Sequence, residues 1–199
     1  MRQTTLALTG CQRRHPKDGP PHGILPVVHG ILITKIRQDL IAPVFQFENM
    51  GNILNEDFTE FLKALNACKV EYVLIGGYAV IYHGYNRTTG DLDVWVNPTD
   101  YNYRKLLDAF QQFGLSPFDM TESRFLQTDT EDVFSFGRPP VSIDILTKVR
   151  GLTFDETFQN SALLKFDGVD VRMIDIRDLL ATKKATNRPK DQDDLEHLK

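Results

Sequence analysis

Two glycines, Gly76 and Gly77, interrupt an apolar run in the middle of the chain, and this break constrains the fold more than any other feature. The residues from Glu71 to Ile75 have the character of a buried strand, and Tyr78 to Tyr82 favours a short helix. The pattern of Asp91–Val96 predicts a second strand, and thirteen residues separate it from Gly77. One helix and one loop would therefore return the chain to a neighbouring strand of the same sheet.

The remaining pattern alternates between helices and strands. Apolar residues from Phe58 to Leu65 recur at i, i+3, i+4 and i+7, which predicts an amphipathic helix that follows Asn55 as its N-cap and ends near Lys69. Further helices are predicted from Asp100 to Gly114, over Glu122–Leu126 and Ile176–Thr186, and from Asp191 onward, and further strands over Val133–Phe136, Val141–Val149, Ala162–Phe166 and Val169–Ile174. This order predicts an α/β (α+β) domain over residues 50–199, with a mixed sheet surrounded by helices.

The first 49 residues differ in composition from the rest. They contain five of the ten prolines and carry six Lys/Arg against three Asp/Glu, whereas the remainder carries 17 against 24. We expect residues 1–49 to be an irregular extension, because proline and glycine favour irregular chain. A sharper hypothesis is that translation of the native protein starts at Met50, which intact-mass measurement of native protein would test.

Two further observations bear on the cellular compartment of the protein. No apolar run approaches the about 20 residues that a membrane helix needs. Cys11 and Cys68 are the two cysteines, and they lack the spacing of metal ligands. We therefore expect a cytoplasmic protein in a reducing compartment, with no membrane partner.

Asp91 and Asp93 are the first candidates for chemistry. Residues two apart on a strand point to the same face, so both carboxylates project together while Leu92 and Val94 point into the core. Two strand residues span about 6.6 Å, and carboxylates at that separation can converge on metal ions about 3.5–4 Å apart. Mg²⁺ suits such all-oxygen ligands. The alternative is an exposed edge strand with two solvated aspartates.

Asp144 supplies a third carboxylate. It lies between Ile143 and Ile145 in the strand that starts at Val141, where an unpaired charge is costly. If this strand is adjacent to Asp91–Val96, the three carboxylates share one site. The pattern then favours a cation site over a solvated edge.

Gly76 and Gly77 follow a strand and precede a helix. Glycine lets backbone N–H groups approach a ligand closely, and a helix N-terminus attracts anions. The pair could cradle phosphates next to a metal at the aspartates. A tight turn between strand and helix would explain the two glycines equally well.

These motifs together resemble those of the DNA polymerase β-like nucleotidyltransferase superfamily. The resemblance is closer to its minimal bacterial members, which include the AbiEii-type toxins of toxin–antitoxin systems, and it covers roughly residues 52–199. The matching segments are Gly76-Gly77, Asp91-Leu92-Asp93, Ile143-Asp144-Ile145, Arg87-x-Thr89-x-Asp91-x-Asp93 and Lys183-x4-Arg188-Pro189-x-Asp191-x-x-Asp194. The fold that the resemblance implies is a short mixed sheet flanked by helices.

The resemblance also implies a reaction. A nucleoside monophosphate would pass from an NTP to a hydroxyl or similar acceptor, with release of pyrophosphate and with Mg²⁺ or Mn²⁺ as cofactor. Asp91 and Asp93 would hold the metals that bridge the triphosphate, and Asp144 would bind the second metal and activate the acceptor as general base. Gly76 and Gly77 would contact the β- and γ-phosphates.

Three basic residues are further candidates. Arg87 lies on the loop that enters the Asp91 strand, where it could clamp a phosphate bidentately or be a surface arginine. By resemblance, Lys183 and Arg188 would reach the nucleotide or acceptor. The alternative for the tail is a solvated helix end whose positive charge is offset by its aspartates.

The acceptor stays open at the level of sequence. It could be a tRNA end, a protein side chain or a small molecule such as an antibiotic, and an antitoxin partner is possible. The acidic net charge gives no general electrostatic case for nucleic acid, although basic residues near Lys183 keep RNA open. The alternative function is a nucleotide-binding or regulatory component, such as one partner of a toxin–antitoxin pair. A metal-dependent phosphohydrolase lacks the support of a histidine cluster.

Overall fold

The computed structural model describes residues 53–130, 133–138 and 141–198. The expected irregular extension over residues 1–49 and the hypothesis about Met50 lie outside these residues. Within the described ranges, no helix is long and apolar enough to cross a bilayer.

The described residues form one six-stranded mixed sheet with seven helices around it, which confirms the predicted fold class. The helices are α1 (Glu56–Ala67), α2 (Gly76–Tyr82), α3 (Asp100–Phe113), α4 (Glu122–Leu126), α5 (Phe154–Asn160), α6 (Ile176–Thr186) and α7 (Pro189–His197). The strands are β1 (Tyr72–Leu74), β2 (Asp91–Val96), β3 (Val133–Arg138), β4 (Val141–Leu146), β5 (Ala162–Phe166) and β6 (Val169–Met173).

The strand order places the two aspartate-bearing strands side by side. The order across the sheet is β3-β4-β2-β1-β6-β5. β2 runs parallel to β4 and β1 runs parallel to β6, while the other neighbours are antiparallel. The carboxylates of β2 and β4 are therefore held by the interior of the sheet, where each strand has partners on both sides.

The alternation along β2 follows the prediction. Leu92 and Val94 are fully buried in the core, while Asp91 and Asp93 lie on the opposite face and stay partly exposed. Aromatic rings fill the core between the sheet and its helices, as where Phe110 of α3 meets the ring of β3 residue Phe136 edge-on at 4.8 Å. Burying one such ring stabilises the fold by roughly 1.5–3 kcal/mol.

Local capping fixes the helix boundaries that the sequence predicts. The Asn55 side chain accepts a hydrogen bond from the N–H of Phe58 at 2.7 Å, which begins α1. The Thr99 hydroxyl accepts one from the N–H of Asn102 at 3.2 Å, which begins α3. Gly114 ends α3 in the left-handed conformation, with φ 83°, which a residue with a Cβ adopts only with strain.

Helix α5 was not predicted. Several element boundaries also differ from the prediction; β3, for example, ends at Arg138 rather than Phe136. Helix α2 includes both glycines, and α7 begins at Pro189, because proline is favoured in the first helical turn. Strand β4 ends at Leu146 rather than Val149, since its partners on β2 and β3 end there.

Candidate active site

The register of β2 with β4 brings the predicted carboxylates together. Asp93 pairs with Asp144, and Asp91 pairs with Ser142, in a parallel ladder. Directly paired residues share one face of a sheet, so the three carboxylates project from the same side. We call Asp91, Asp93 and Asp144 the carboxylate array.

Ser142 joins two members of the carboxylate array. Its Oγ lies 2.8 Å from Oδ1 of Asp91 and 3.3 Å from Oδ1 of Asp144. The sequence interpretation missed this residue. Its position two residues before Asp144 was the available signal, because that spacing puts the hydroxyl on the carboxylate face of β4.

The glycine turn packs directly on the carboxylate array. A Cβ on Gly76 would lie 1.9 Å from Oδ2 of Asp93, and Gly76 has φ +64°. The N–H of Gly77 donates to the same Oδ2 at 3.3 Å. A Cβ on Gly77 would lie 2.2 Å from Oγ1 of Thr89, the residue of the entering loop that follows Thr88. Close packing inside the protein therefore requires both glycines, whatever they bind.

The electrostatics of Asp93 reflect its crowded position. Burial is the largest cause that raises the pKa of this carboxyl, and repulsion from Asp144 and Asp91 adds to it. The N–H of Gly77 and the charge of Lys183 act in the opposite direction, and the resulting pKa is about 6. Ionised Asp93 is therefore held at a free-energy cost that a nearby cation would remove.

A second group of charges lies beside the array, and we call it the ion cluster: Arg87, Lys183, Asp191 and Asp194. Asp194 is completely buried. Its carboxylate accepts hydrogen bonds from Nε of Arg87 at 2.6 Å and from Nη2 of Arg87 at 3.1 Å. Nζ of Lys183 donates to Oδ2 of Asp194 at 2.6 Å. Asp194 thus ties α7 both to α6 and to the loop that precedes β2.

Asp191 completes the ion cluster. It accepts from Nζ of Lys183 at 3.1 Å and from the hydroxyl of Thr186 at 2.7 Å. Burial raises the pKa of Asp191, but these hydrogen bonds outweigh it and leave the pKa below its ordinary value. Two cations therefore face two carboxylates, and Asp191 and Asp194 form an ion-paired network rather than part of a solvated helix end, while Asp193 stays exposed.

Arg188 stands apart from the other predicted basic residues. Its side chain is exposed at the start of α7, and its backbone N–H donates to Oδ2 of Asp191 at 3.3 Å. The structure brings Arg87 and Lys183 into the ion cluster by their side chains. It connects Arg188 to the cluster by its backbone.

Two aromatic residues near the site, Tyr78 and Trp95, pack against other aromatic rings of the protein. Tyr78 is buried and meets the ring of Phe58 edge-on at 5.9 Å, so it packs in the core. Trp95 lies on the array face of β2 and meets Phe154 of α5 edge-on at 5.3 Å. Helix α5 thus covers one end of this face of the sheet.

The donor set of the array fits a hard divalent cation. Three carboxylates supply oxygen ligands of the kind that Mg²⁺ prefers. Within the part of the chain that the structure describes, no group of three or more acidic, histidine or cysteine side chains is arranged so that it could hold a metal ion. The raised pKa of Asp93 is the observation that favours a positive charge at the array.

Comparison with known proteins identifies relatives of this chain. A family described as "Nucleotidyltransferase of unknown function (DUF6036)" matches residues 53–199. The chain is also similar to a crystal structure of the lincosamide antibiotic adenylyltransferase LnuA bound to lincomycin, with 14% identity and a TM-score of 0.47. That similarity covers 74% of this chain and 97% of the other. Among curated proteins, no sequence matches.

Proposed function

The chain belongs to the DUF6036 family of nucleotidyltransferases, and from that premise we propose that it transfers a nucleoside monophosphate from an NTP to an acceptor, with release of pyrophosphate. One observation carries the proposal. Asp93 and Asp144 are paired in register on parallel strands, with Asp91 on the same face. This arrangement gathers negative charge next to a turn whose backbone is bare of side chains at Gly76 and Gly77.

Mg²⁺ or Mn²⁺ would be held by Asp91, Asp93 and Asp144. When bound, the cation supplies the positive charge that neutralises the triphosphate and the charge that develops on the leaving group. The raised pKa of Asp93 supports this assignment, since the repulsion and burial that cause it are relieved by a cation.

The reaction needs one proton to leave the acceptor. A bond forms between the acceptor oxygen and the α-phosphorus, and the bond from that phosphorus to the α,β-bridging oxygen breaks as pyrophosphate departs. Asp144 takes the acceptor proton, because it lies at the side of the array away from the glycine turn. The strand order supports this division, with β1 and its following glycines on one side of β2 and β4 on the other.

Phosphate contacts would come from the turn and the ion cluster. Gly76 and Gly77 would present backbone N–H groups. The N–H of Gly77 donates to Oδ2 of Asp93 in the free protein, so it would exchange this weak bond for one to a phosphate oxygen. Lys183 has one N–H left after its bonds to Asp191 and Asp194. The Arg87 guanidinium donates to Asp194 and to the carbonyl of Thr88. Its remaining N–H groups would donate to a phosphate.

Label transfer tests the proposal. The full-length chain is incubated with Mg²⁺, each α-³²P NTP in turn, and the RNA, protein and metabolite fractions of a lysate. Asp93→Asn removes one array charge, and Asp100→Asn is the matched control because Asp100 is exposed at the start of α3. We expect label in one fraction with the parent and with Asp100→Asn, and loss of label with Asp93→Asn.

The same experiment identifies the acceptor class by the fraction that is labelled. Equal transfer by the parent and by Asp93→Asn would contradict the assignment of the array. No transfer from any NTP, by a folded protein that still binds Mg²⁺–NTP, would overturn the catalytic proposal and favour a nucleotide-binding or regulatory role.

A further inference from the structure

We propose that Ser142 is a positioning residue that sets the geometry of the carboxylate array for its cation, an inference that rests on the proposed function. Its Oγ is within hydrogen-bonding distance of Asp91 Oδ1 at 2.8 Å and of Asp144 Oδ1 at 3.3 Å. Within the described residues, no other hydroxyl bridges two members of the array.

A serine hydroxyl has one hydrogen, so it donates to one carboxylate at a time. The shorter distance makes Asp91 the preferred acceptor, and the hydrogen bond turns one oxygen of Asp91 toward β4. The pairing of Asp91 with Ser142 in the β2–β4 ladder fixes the two backbones that carry this bond. The side chain of Asp91 is thereby held in one orientation before any ligand arrives.

Asp144 competes for the same hydroxyl, which can rotate to donate to its Oδ1 at 3.3 Å instead. In either orientation the serine oxygen lies between the two carboxylates and keeps their oxygens apart. Ser142 therefore sets both the direction of Asp91 and its separation from Asp144. Removing partners that orient metal ligands typically weakens metal affinity by about 10–100-fold.

Two substitutions isolate the hydroxyl. Ser142→Thr keeps the hydroxyl on a β-branched side chain. Ser142→Val has the same branched shape as threonine but carries a methyl group in place of the hydroxyl. Both are favoured in strands. Ser135→Ala is the matched control, because Ser135 pairs with Asp144 from β3 and is exposed on the same face.

Three measurements on the full-length chain follow. Mn²⁺ binding without nucleotide is measured by electron paramagnetic resonance, and the free Mg²⁺ that gives half-maximal label transfer is measured at saturating NTP. The unfolding midpoint is measured in chelator, to verify that each variant folds. We expect Ser142→Val to weaken Mn²⁺ binding at least tenfold and to raise the half-saturating Mg²⁺ by a similar factor, with the maximal rate at saturating Mg²⁺ changed less than threefold.

Ser142→Thr and Ser135→Ala should bind Mn²⁺ within about threefold of the parent. Equal affinities for Ser142→Val and Ser142→Thr, with the parent binding Mn²⁺, would overturn the inference and leave the proposed function intact. A fall in maximal rate with unchanged metal dependence would also overturn it, because positioning of a metal ligand acts on the metal. A parent that binds no Mn²⁺ and transfers no label would overturn the proposed function and this inference with it.

Discussion

In the ion cluster, Arg87 and Lys183 face two carboxylates, and the most buried of these, Asp194, has no exposed surface. In the carboxylate array, three anions lie on neighbouring strands, and a serine hydroxyl bridges two of them. The cluster pairs opposite charges within the protein, whereas the array gathers like charges, which under the proposed function a bound cation would neutralise. Adjacent groups of charged residues can therefore differ in charge balance, with most charge paired in one and like charges side by side in the other.

Lys183 connects the two regions. Its ammonium group bonds to the ion cluster, and its charge also lowers the pKa of Asp93 in the array. The comparison therefore predicts different results when each region is neutralised. Loss of charge in the array should reduce activity and relieve repulsion, whereas loss of charge in the cluster should destabilise the fold.

Asp93→Asn should have the largest effect. If Asp93 holds the cation as proposed, its loss removes several kcal/mol of transition-state stabilisation, so transfer should fall by about a thousandfold or more. In chelator at pH 7.5, the free energy of unfolding should rise by up to about 3 kcal/mol, because the pKa of about 6 lies about two units above the ordinary value of 3.8 and each unit corresponds to about 1.4 kcal/mol. Label transfer and urea unfolding measure the two, and a large loss of stability would contradict the comparison.

Asp194→Asn should act in the opposite way on stability. It leaves Arg87 and Lys183 with one carboxylate fewer in a buried site, and breaking a buried ion pair typically destabilises by about 3–5 kcal/mol. Asp193→Asn is the matched control, since the neighbouring Asp193 is half exposed, and it should change stability by less than about 1 kcal/mol. Similar urea midpoints for the two variants would show that the ion cluster does not hold the fold.

Gly76→Ala should have an intermediate effect. The new Cβ would fall 1.9 Å from Oδ2 of Asp93 and must displace that side chain. Misplacing a reacting group by about 1 Å can reduce a rate by about a hundredfold, so label transfer should fall on that order. Gly114→Ala is the control for backbone strain alone, because φ is +83° and a Cβ there would meet nothing within 4 Å. Equal activities would mean that Gly76 serves only the turn.

Lys165→Ala should have the smallest effect. Its ion pair with Asp170 is short at 2.6 Å, but the two side chains are 70% and 59% exposed. Pairs of this kind contribute about 0–1 kcal/mol. Urea unfolding should show a change below that limit and label transfer should be unchanged. A loss comparable to Asp194→Asn would show that burial is not what distinguishes the ion cluster.

The sequence predicted local features best. Asn55, Thr99 and Gly114 act through neighbouring backbone, so their capping roles can be inferred from sequence alone. The alternation along β2 likewise put Asp91 and Asp93 on one face. These predictions needed no knowledge of distant contacts.

Features that depend on distant pairing could be predicted only in part. The adjacency of Asp144 to Asp93 was expected and is confirmed by the register. The bond of Ser142 to Asp91 depends on how two strands align, which sequence spacing does not determine. The ion cluster was missed for the same reason, because Arg87 and Asp194 are 107 positions apart and charged residues are usually solvated.

The ladder between β2 and β4 has a consequence for the time course of folding. It joins residues 51 positions apart, such as Asp91 and Ser142. The chain therefore loses the entropy of closing this loop before the contacts of the ladder stabilise it. The same step brings like charges together. We therefore expect this ladder to form after the main barrier, so that substitutions in the array alter the unfolding rate more than the folding rate. If the array binds a cation as proposed, that cation should slow unfolding, and the lifetime of the folded chain should then lengthen with metal concentration.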